Sequence, residues 1–127
     1  MTLIMTVGLP RSGKSTWAKA QGLPVVNPDS IRLVLHGTPF LASAEPMVWS
    51  IAETMVHALF LAGHEKVILD ATNLNLSLRN RWQGKPWTIA LQIFDATKEQ
   101  CIARAKESHT EYLIPIIERM ARYQAIA

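Results

Sequence analysis

The sequence predicts an α/β domain in which a parallel sheet of about four strands carries helices on both faces. Three observations predict it. Short apolar runs alternate with helix-forming segments in the order βαβα(α)βαβαα, the pattern of right-handed strand–helix–strand crossovers. The run Val67-Ile68-Leu69 is apolar throughout, as a strand buried on both faces must be. The first apolar run passes into its helix through a loop bounded by glycines, Gly8 to Gly13.

Each element has a local reason. Leu3–Val7 is rich in strand formers, and Ser15–Ala20 suits a helix. Gly22 and Pro24 interrupt, and Val25–Asn27 reads as a short second strand. Pro28-Asp29-Ser30 opens a helix that continues through Leu35 until Gly37 stops it. Thr38–Ser43 reads as a loop with Pro39 and Phe40 near its tip. Ala44–Ala62 is the most regular helical pattern. Val48, Ile51, Met55, Leu59 and Ala62 mark its expected buried face, Ser50, Glu53, Thr54 and His57 the other, and Gly63 ends it. Met47, Trp49 and Met55 are expected in the core. Val67–Leu69 is the third strand and runs into Asp70-Ala71-Thr72-Asn73. Leu76–Trp82 suits a short helix carrying Arg79 and Arg81, and Gly84-Lys85-Pro86 turns the chain. Trp87–Phe94 is a fourth strand, Lys98–Lys106 a helix, and Glu107–Leu113 a polar loop. Pro115 sits in the first turn of a last helix through Tyr123. Ligands of such sheets bind at the carboxyl ends of the strands, so the loops after all four strands are expected to line one cleft.

Composition narrows the class. A chain of 127 residues, 49% hydrophobic, suits one domain over residues 1–127 and excludes disorder. At this size about two-thirds of the unfolded surface is buried on folding. No apolar run reaches the ~18–20 residues of a membrane span, and Leu3–Val7 is too short for a signal core. A cytoplasmic protein without membrane association is expected. The single cysteine, Cys101, permits no internal disulfide and is expected as a small buried hydrophobe. His36, His57, His64 and His109 lack the spacing of zinc ligands. The net charge of +3 is compatible with an anionic substrate.

The glycine loop carries the chemistry. Gly8-Leu9-Pro10-Arg11-Ser12-Gly13-Lys14-Ser15-Thr16 fits G-x-x-x-x-G-K-[ST], the phosphate-binding loop, between a strand and a helix. Gly8 and Gly13 permit backbone conformations closed to other residues and close approach to an anion. Pro10, Arg11, Ser12 and Thr16 complete the cradle, whose amides form an anion-binding nest. Lys14 supplies a charge for the β- and γ-phosphates of ATP, and Ser15 a hydroxyl for Mg²⁺. Asp70, at the end of an apolar strand, stands where an acidic Mg²⁺ partner is expected, although an aspartate there also suits a turn. Asp29 follows the second strand, with Arg32 on the same helical face. A carboxylate opposite the phosphate loop can take the proton of an attacking hydroxyl, and Arg32 can hold a second anionic group. Asp29 also suits a helix start, paired with Arg32 at the surface. Thr72 and Asn73 are placed to orient the acceptor or metal waters. Arg104, Lys106 and His109 form a late basic cluster that can close over a triphosphate, with Arg104 offsetting charge on the transferred group. A solvated helix end explains that cluster as well.

Together these segments resemble the polynucleotide 5′-kinase family of P-loop kinases. Gly8–Trp17 resembles that family's phosphate loop, Asn27–Arg32 its D-x-x-R element, and Val67–Asn75 its D-x-T-N segment. Phe94–Arg104 is similar to the strand and helix leading to its lid, and Ile114–Tyr123 to the helix after it. The resemblance is collinear over nearly the whole chain. It implies a three-layer P-loop NTPase fold with strand order 2-3-1-4, Asp29 as general base, and Arg32 on the acceptor's 3′-phosphate. Only Arg104 matches the two arginines usual in the lid, with Ser108 and His109 in the region of the second. The expected reaction moves the γ-phosphoryl of ATP to the 5′-OH of DNA or RNA, with Lys14, Asp29, Arg32 and Arg104 catalytic. A separate phosphatase or ligase polypeptide is an expected partner. A small-molecule kinase acting on a nucleoside, sugar or antibiotic, and a nucleotide-binding module without transfer activity, are the competing readings.

Overall fold

In the structure, a computed structural model that describes residues 1–38 and 40–124, β1 (Thr2–Val7) lies inside a four-stranded sheet. The other strands are β2 (Val25–Val26), β3 (Lys66–Leu69) and β4 (Thr88–Ile93). The order is β2-β3-β1-β4 and every pairing is parallel, which is the order expected from the sequence. Met5 stands opposite Leu69 on one side and Leu91 on the other. The helices are α1 (Lys14–Ala20), α2 (Pro28–His36), α3 (Glu45–Leu61), α4 (Leu76–Asn80), α5 (Lys98–Glu107) and α6 (Ile114–Gln124). Pro39, expected near a loop tip, lies outside the described residues.

Burial explains the layers. Leu3, Met5, Val67 and Leu69 meet Val48, Ala52, Val56 and Phe60 of α3, with Ile31 of α2 and the indoles of Trp49, Trp82 and Trp87. The step from β1 to β2 crosses the sheet opposite to the step from β2 to β3, so right-handed crossovers put α1 on the face opposite α2 and α3. A second cluster joins Val7, Leu9 and Leu74 to Cys101, Ala105 and Ile117, which seats α5 and α6 beside the carboxyl end of β1. Cys101 is fully buried, as expected.

The face of α3 needs correction. Val48, Trp49, Ala52, Val56 and Phe60 are its buried residues. Met47 is 50% exposed and Met55 39% exposed, so neither is core. The helix is apolar on nearly every side, and a 3.6-residue period then offers more than one stripe. The sheet, not the pattern, selects the one that packs. Smaller differences have local causes. A 3₁₀ turn, Ala42–Ala44, precedes α3, and another, Glu111–Leu113, interrupts the expected loop. The short helix ends at Asn80 instead of Trp82. Trp87 falls one residue before the fourth strand, whose pairing with β1 begins at Thr2 opposite Thr88; its ring is buried and its Nε1 donates to the Trp82 carbonyl at 3.2 Å.

Candidate active site

The phosphate loop joins β1 to α1 and is held from three sides. The Gly8 amide donates to the Thr72 carbonyl at 3.0 Å, and Ser12 N–H to Leu9 O at 3.1 Å. Gly13, with φ of 101°, takes the left-handed conformation that ends the loop, and Arg11 shares it at 67°. Gly8 is required by space. A Cβ there would stand 2.8 Å from Ser12 Oγ and 2.9 Å from the Phe94 carbonyl oxygen. Rotation of a side chain cannot relieve the contact with that backbone oxygen. Gly8→Ala is therefore expected to cost about 1–3 kcal/mol, read as a fall of several degrees in Tm, and to weaken nucleotide binding by displacing the loop.

Lys14 opens α1 and is buried, with its Nζ donating to Leu9 O at 2.7 Å. Burial lowers its pKa to about 8, against the raising influence of Asp70 first and of Cys101 and Asp29 after it. Ser12 Oγ is buried with no partner among the described residues. A buried ammonium and an orphaned hydroxyl in one loop are what an anion-binding cradle leaves unsatisfied.

Asp70 directly follows β3 and is 5% exposed. Its Oδ2 accepts from Ser15 Oγ at 2.8 Å and from Asn27 Nδ2 at 3.3 Å. The hydroxyl and carboxylate expected to hold Mg²⁺ are thus side by side. Among the described residues no group of three or more His, Cys, Asp or Glu surrounds a common point. One hard oxygen pair completed by phosphate and water is the donor set that Mg²⁺ prefers over an all-protein cage, so these residues fit that ion. A cleft of about 290 Å³ opens here, lined by Ser15, Lys19, Asn27, Ser30 and Asp70 among others.

Asp29 sits in the first turn of α2. The N-cap is Asn27, whose side chain accepts the Asp29 N–H at 2.8 Å, so the Asp29 carboxylate is not consumed by capping. It is 73% exposed and pairs with Arg32 Nη1 at 2.6 Å. Arg32 also donates through Nε and Nη2 to Glu45 of α3, at 2.9 and 2.6 Å. Burial disfavours its charge, but the Glu45 and Asp29 hydrogen bonds more than offset this and raise its pKa. A guanidinium has five N–H groups, and two are left for an incoming anion.

Thr72 and Asn73 act first as structure. Asn73 has φ of 49°, and its Nδ2 donates to Thr6 O at 2.8 Å. Its amide nitrogen is committed, and only its oxygen remains to meet a ligand. In the basic cluster, Arg104 Nη1 donates to the Arg11 carbonyl at 3.1 Å, which draws α5 onto the phosphate loop. Ser108, in place of a second arginine, closes the end of α5 by donating to Arg104 O at 2.9 Å. Lys106 and His109 are exposed.

Residues 3–111 match the family described as AAA domain. The chain belongs to the AAA domain family. No curated protein matches it. Solved structures of similar fold include two of named complexes. A chain of "Structure of the Pnkp1/Rnl/Hen1 RNA repair complex" has a TM-score of 0.76 and 22% identity, covering 98% of this chain and 45% of its own. A chain of "Structure of Pnkp1/Rnl/Hen1 complex" has a TM-score of 0.72 and 31% identity, covering 81% of this chain and 38% of its own. This AAA domain thus spans less than half the length of the chains it matches. These findings bear out the kinship with polynucleotide kinase-like P-loop domains drawn from the sequence.

Two residues of this AAA domain's site escaped the sequence reading. Glu45 has no local signal, because its partner Arg32 lies 13 residues away in another helix. Asn27 stands before Pro-Asp, a helix-start pattern that announces a cap, but nothing local announces its bond to Asp70.

Proposed function

We propose that this AAA domain, acting as a single domain over residues 1–127, transfers the γ-phosphoryl group of ATP to the 5′-hydroxyl of a DNA or RNA end. One observation carries the reading. Asp70 Oδ2 accepts from Ser15 Oγ of the phosphate loop at 2.8 Å and from Asn27 Nδ2 at 3.3 Å, and Asn27 caps the helix whose first turn carries Asp29, which supports a donor cradle, a metal-side acid and an acceptor-side carboxylate grouped at one end of the sheet. The likeness to a chain of an RNA repair complex at 22% identity, and to a chain of a Pnkp1/Rnl/Hen1 complex at 31%, supports a nucleic-acid acceptor.

The roles follow from position. Lys14 and the amides of Gly13, Lys14, Ser15 and Thr16 at the start of α1 hold the β- and γ-phosphates. Ser15 and Asp70 hold Mg²⁺, which when bound neutralises charge on the phosphates. Asp29 takes the proton of the acceptor hydroxyl as its oxygen forms the new bond to phosphorus. The bond from phosphorus to the β-phosphate oxygen breaks, and ADP leaves with that electron pair. The free N–H groups of Arg32 grip the acceptor's neighbouring phosphate. Arg104, already on the loop, offsets charge on the moving group. Among the described residues no helix is long and apolar enough to cross a membrane, and we place the reaction in the cytoplasm, with a separate phosphatase or ligase as partner.

Acceptor competition tests the reading. With γ-labelled ATP, a 3′-phosphorylated nucleoside or a 5′-OH oligonucleotide should be labelled at least tenfold faster than a bare nucleoside, because only the former offer Arg32 an anion. Equal labelling of the bare nucleoside would favour a small-molecule kinase. ATP binding with no transfer to any hydroxyl would favour a nucleotide-binding module.

A further inference from the structure

We infer that Asn27 is a positioning residue that locks the metal-side carboxylate of Asp70 to the helix bearing Asp29, an inference that rests on the reading above. The parallel register pairs Val26 with Leu69, so one step further along both strands Asn27 arrives beside Asp70. The Asp70 amide closes this rung by donating to Val26 O at 2.9 Å. Pro28 then starts α2 without an N–H of its own, so the first free helical amide is that of Asp29, and Asn27 Oδ1 accepts it at 2.8 Å. That contact fixes the amide plane. With Oδ1 turned to the helix, Nδ2 turns to Asp70 Oδ2 at 3.3 Å. The reverse orientation would set an oxygen against a carboxylate and an N–H₂ against a backbone N–H.

Both halves of the amide are therefore used, and for different partners. Capping needs an acceptor; holding a carboxylate needs a donor. Aspartate would cap but bring a like charge to Asp70, and serine would cap but is one atom too short to reach across. Asn27 and Ser15 together saturate one side of Oδ2 and leave Oδ1 and the remaining lone pairs for the metal side. Any movement of α2 is thereby shared with Asp70, which keeps the acceptor-side base and the metal-side acid in one frame.

Two variants separate the donor from the cap. Asn27→Ser keeps the cap and loses the bond to Asp70, whereas Asn27→Ala loses both. The measurement is ADP binding by calorimetry across a Mg²⁺ series without any acceptor, with thermal unfolding of each variant. Both variants should raise the half-saturating Mg²⁺ concentration about tenfold, since hydrogen bonds to charged groups are the stronger ones, and should bind Mg²⁺-free ADP as the wild type does. Only Asn27→Ala should lose several degrees in Tm. Wild-type Mg²⁺ dependence in both variants would overturn the inference and leave Asn27 a cap, as would a wild type whose ADP binding ignores Mg²⁺. Because no transfer is measured, a failure of the kinase reading in the acceptor assay is distinguishable from a failure here.

Discussion

Asp29→Ala is expected to abolish phosphoryl transfer while ATP still binds. General-base catalysis contributes on the order of 10²–10⁴-fold, so kcat should fall at least a hundredfold. ATP affinity should stay within about twofold, because Asp29 lies on α2 and touches no atom of the phosphate loop at hydrogen-bonding distance. Folding should survive. The Asp29–Arg32 pair has one partner 73% exposed, and such pairs contribute at most about 1 kcal/mol. Asp29→Asn is the sharper control, since it keeps an oxygen acceptor for Arg32 and removes only the basicity. Single-turnover transfer to a 5′-OH oligonucleotide, measured beside ATP binding, gives the answer. Unchanged turnover in either variant would refute the assignment.

Lys14→Met is expected to move stability and function in opposite directions. The Lys14 pKa is lowered from 10.5 to about 8 by burial, so at pH 7 the ligand-free fold carries the cost of an ammonium without its full hydration. Replacing it with an apolar chain of similar length removes that cost, partly offset by the lost bond to Leu9 O, and should stabilise the free domain by about 2 kcal/mol. Nucleotide affinity should collapse, because in the proposed reading this ammonium holds the phosphates. The pH dependence carries a definite sign. Below pH 8 both the folded and unfolded chains hold the proton, and the penalty is complete. Between pH 8 and 10.5 the unfolded chain holds a proton that the folded chain has released, so wild-type stability rises with pH over that window. Denaturant unfolding across this range should show the rise in the wild type and its absence in Lys14→Met. A variant less stable than the wild type at pH 7 would sink the argument.

Much of the fold was legible because its causes are local. The strand, glycine loop and helix around Lys14 are consecutive in the chain, and Gly37 ends α2 where its stop was expected, in the left-handed conformation. Val67, Ile68 and Leu69 are fully buried, as their unbroken apolar run required. Where the local pattern was ambiguous, reading failed. The sides of α3 are too alike to choose between, and Met47 and Met55 came out exposed. Trp82 and Trp87 fell just outside their expected elements, though both rings are buried, because where a helix stops or a strand's pairing starts is set by distant partners such as Thr2 opposite Thr88.

The residue types that phosphate chemistry demands, at the spacing it demands, are written in short contiguous strings around Lys14, Asp29 and Asp70, so the chain alone pointed to the phosphate loop and to the two carboxylates proposed as its partners. Their mutual arrangement was decided elsewhere. Asn27 meets Asp70 across 43 positions, Arg104 reaches the loop across 93, and Glu45 takes Arg32 from a separate helix. Those contacts arise from strand register and helix packing, which depend on which distant surfaces bury one another, and no local pattern of amino acids encodes that choice.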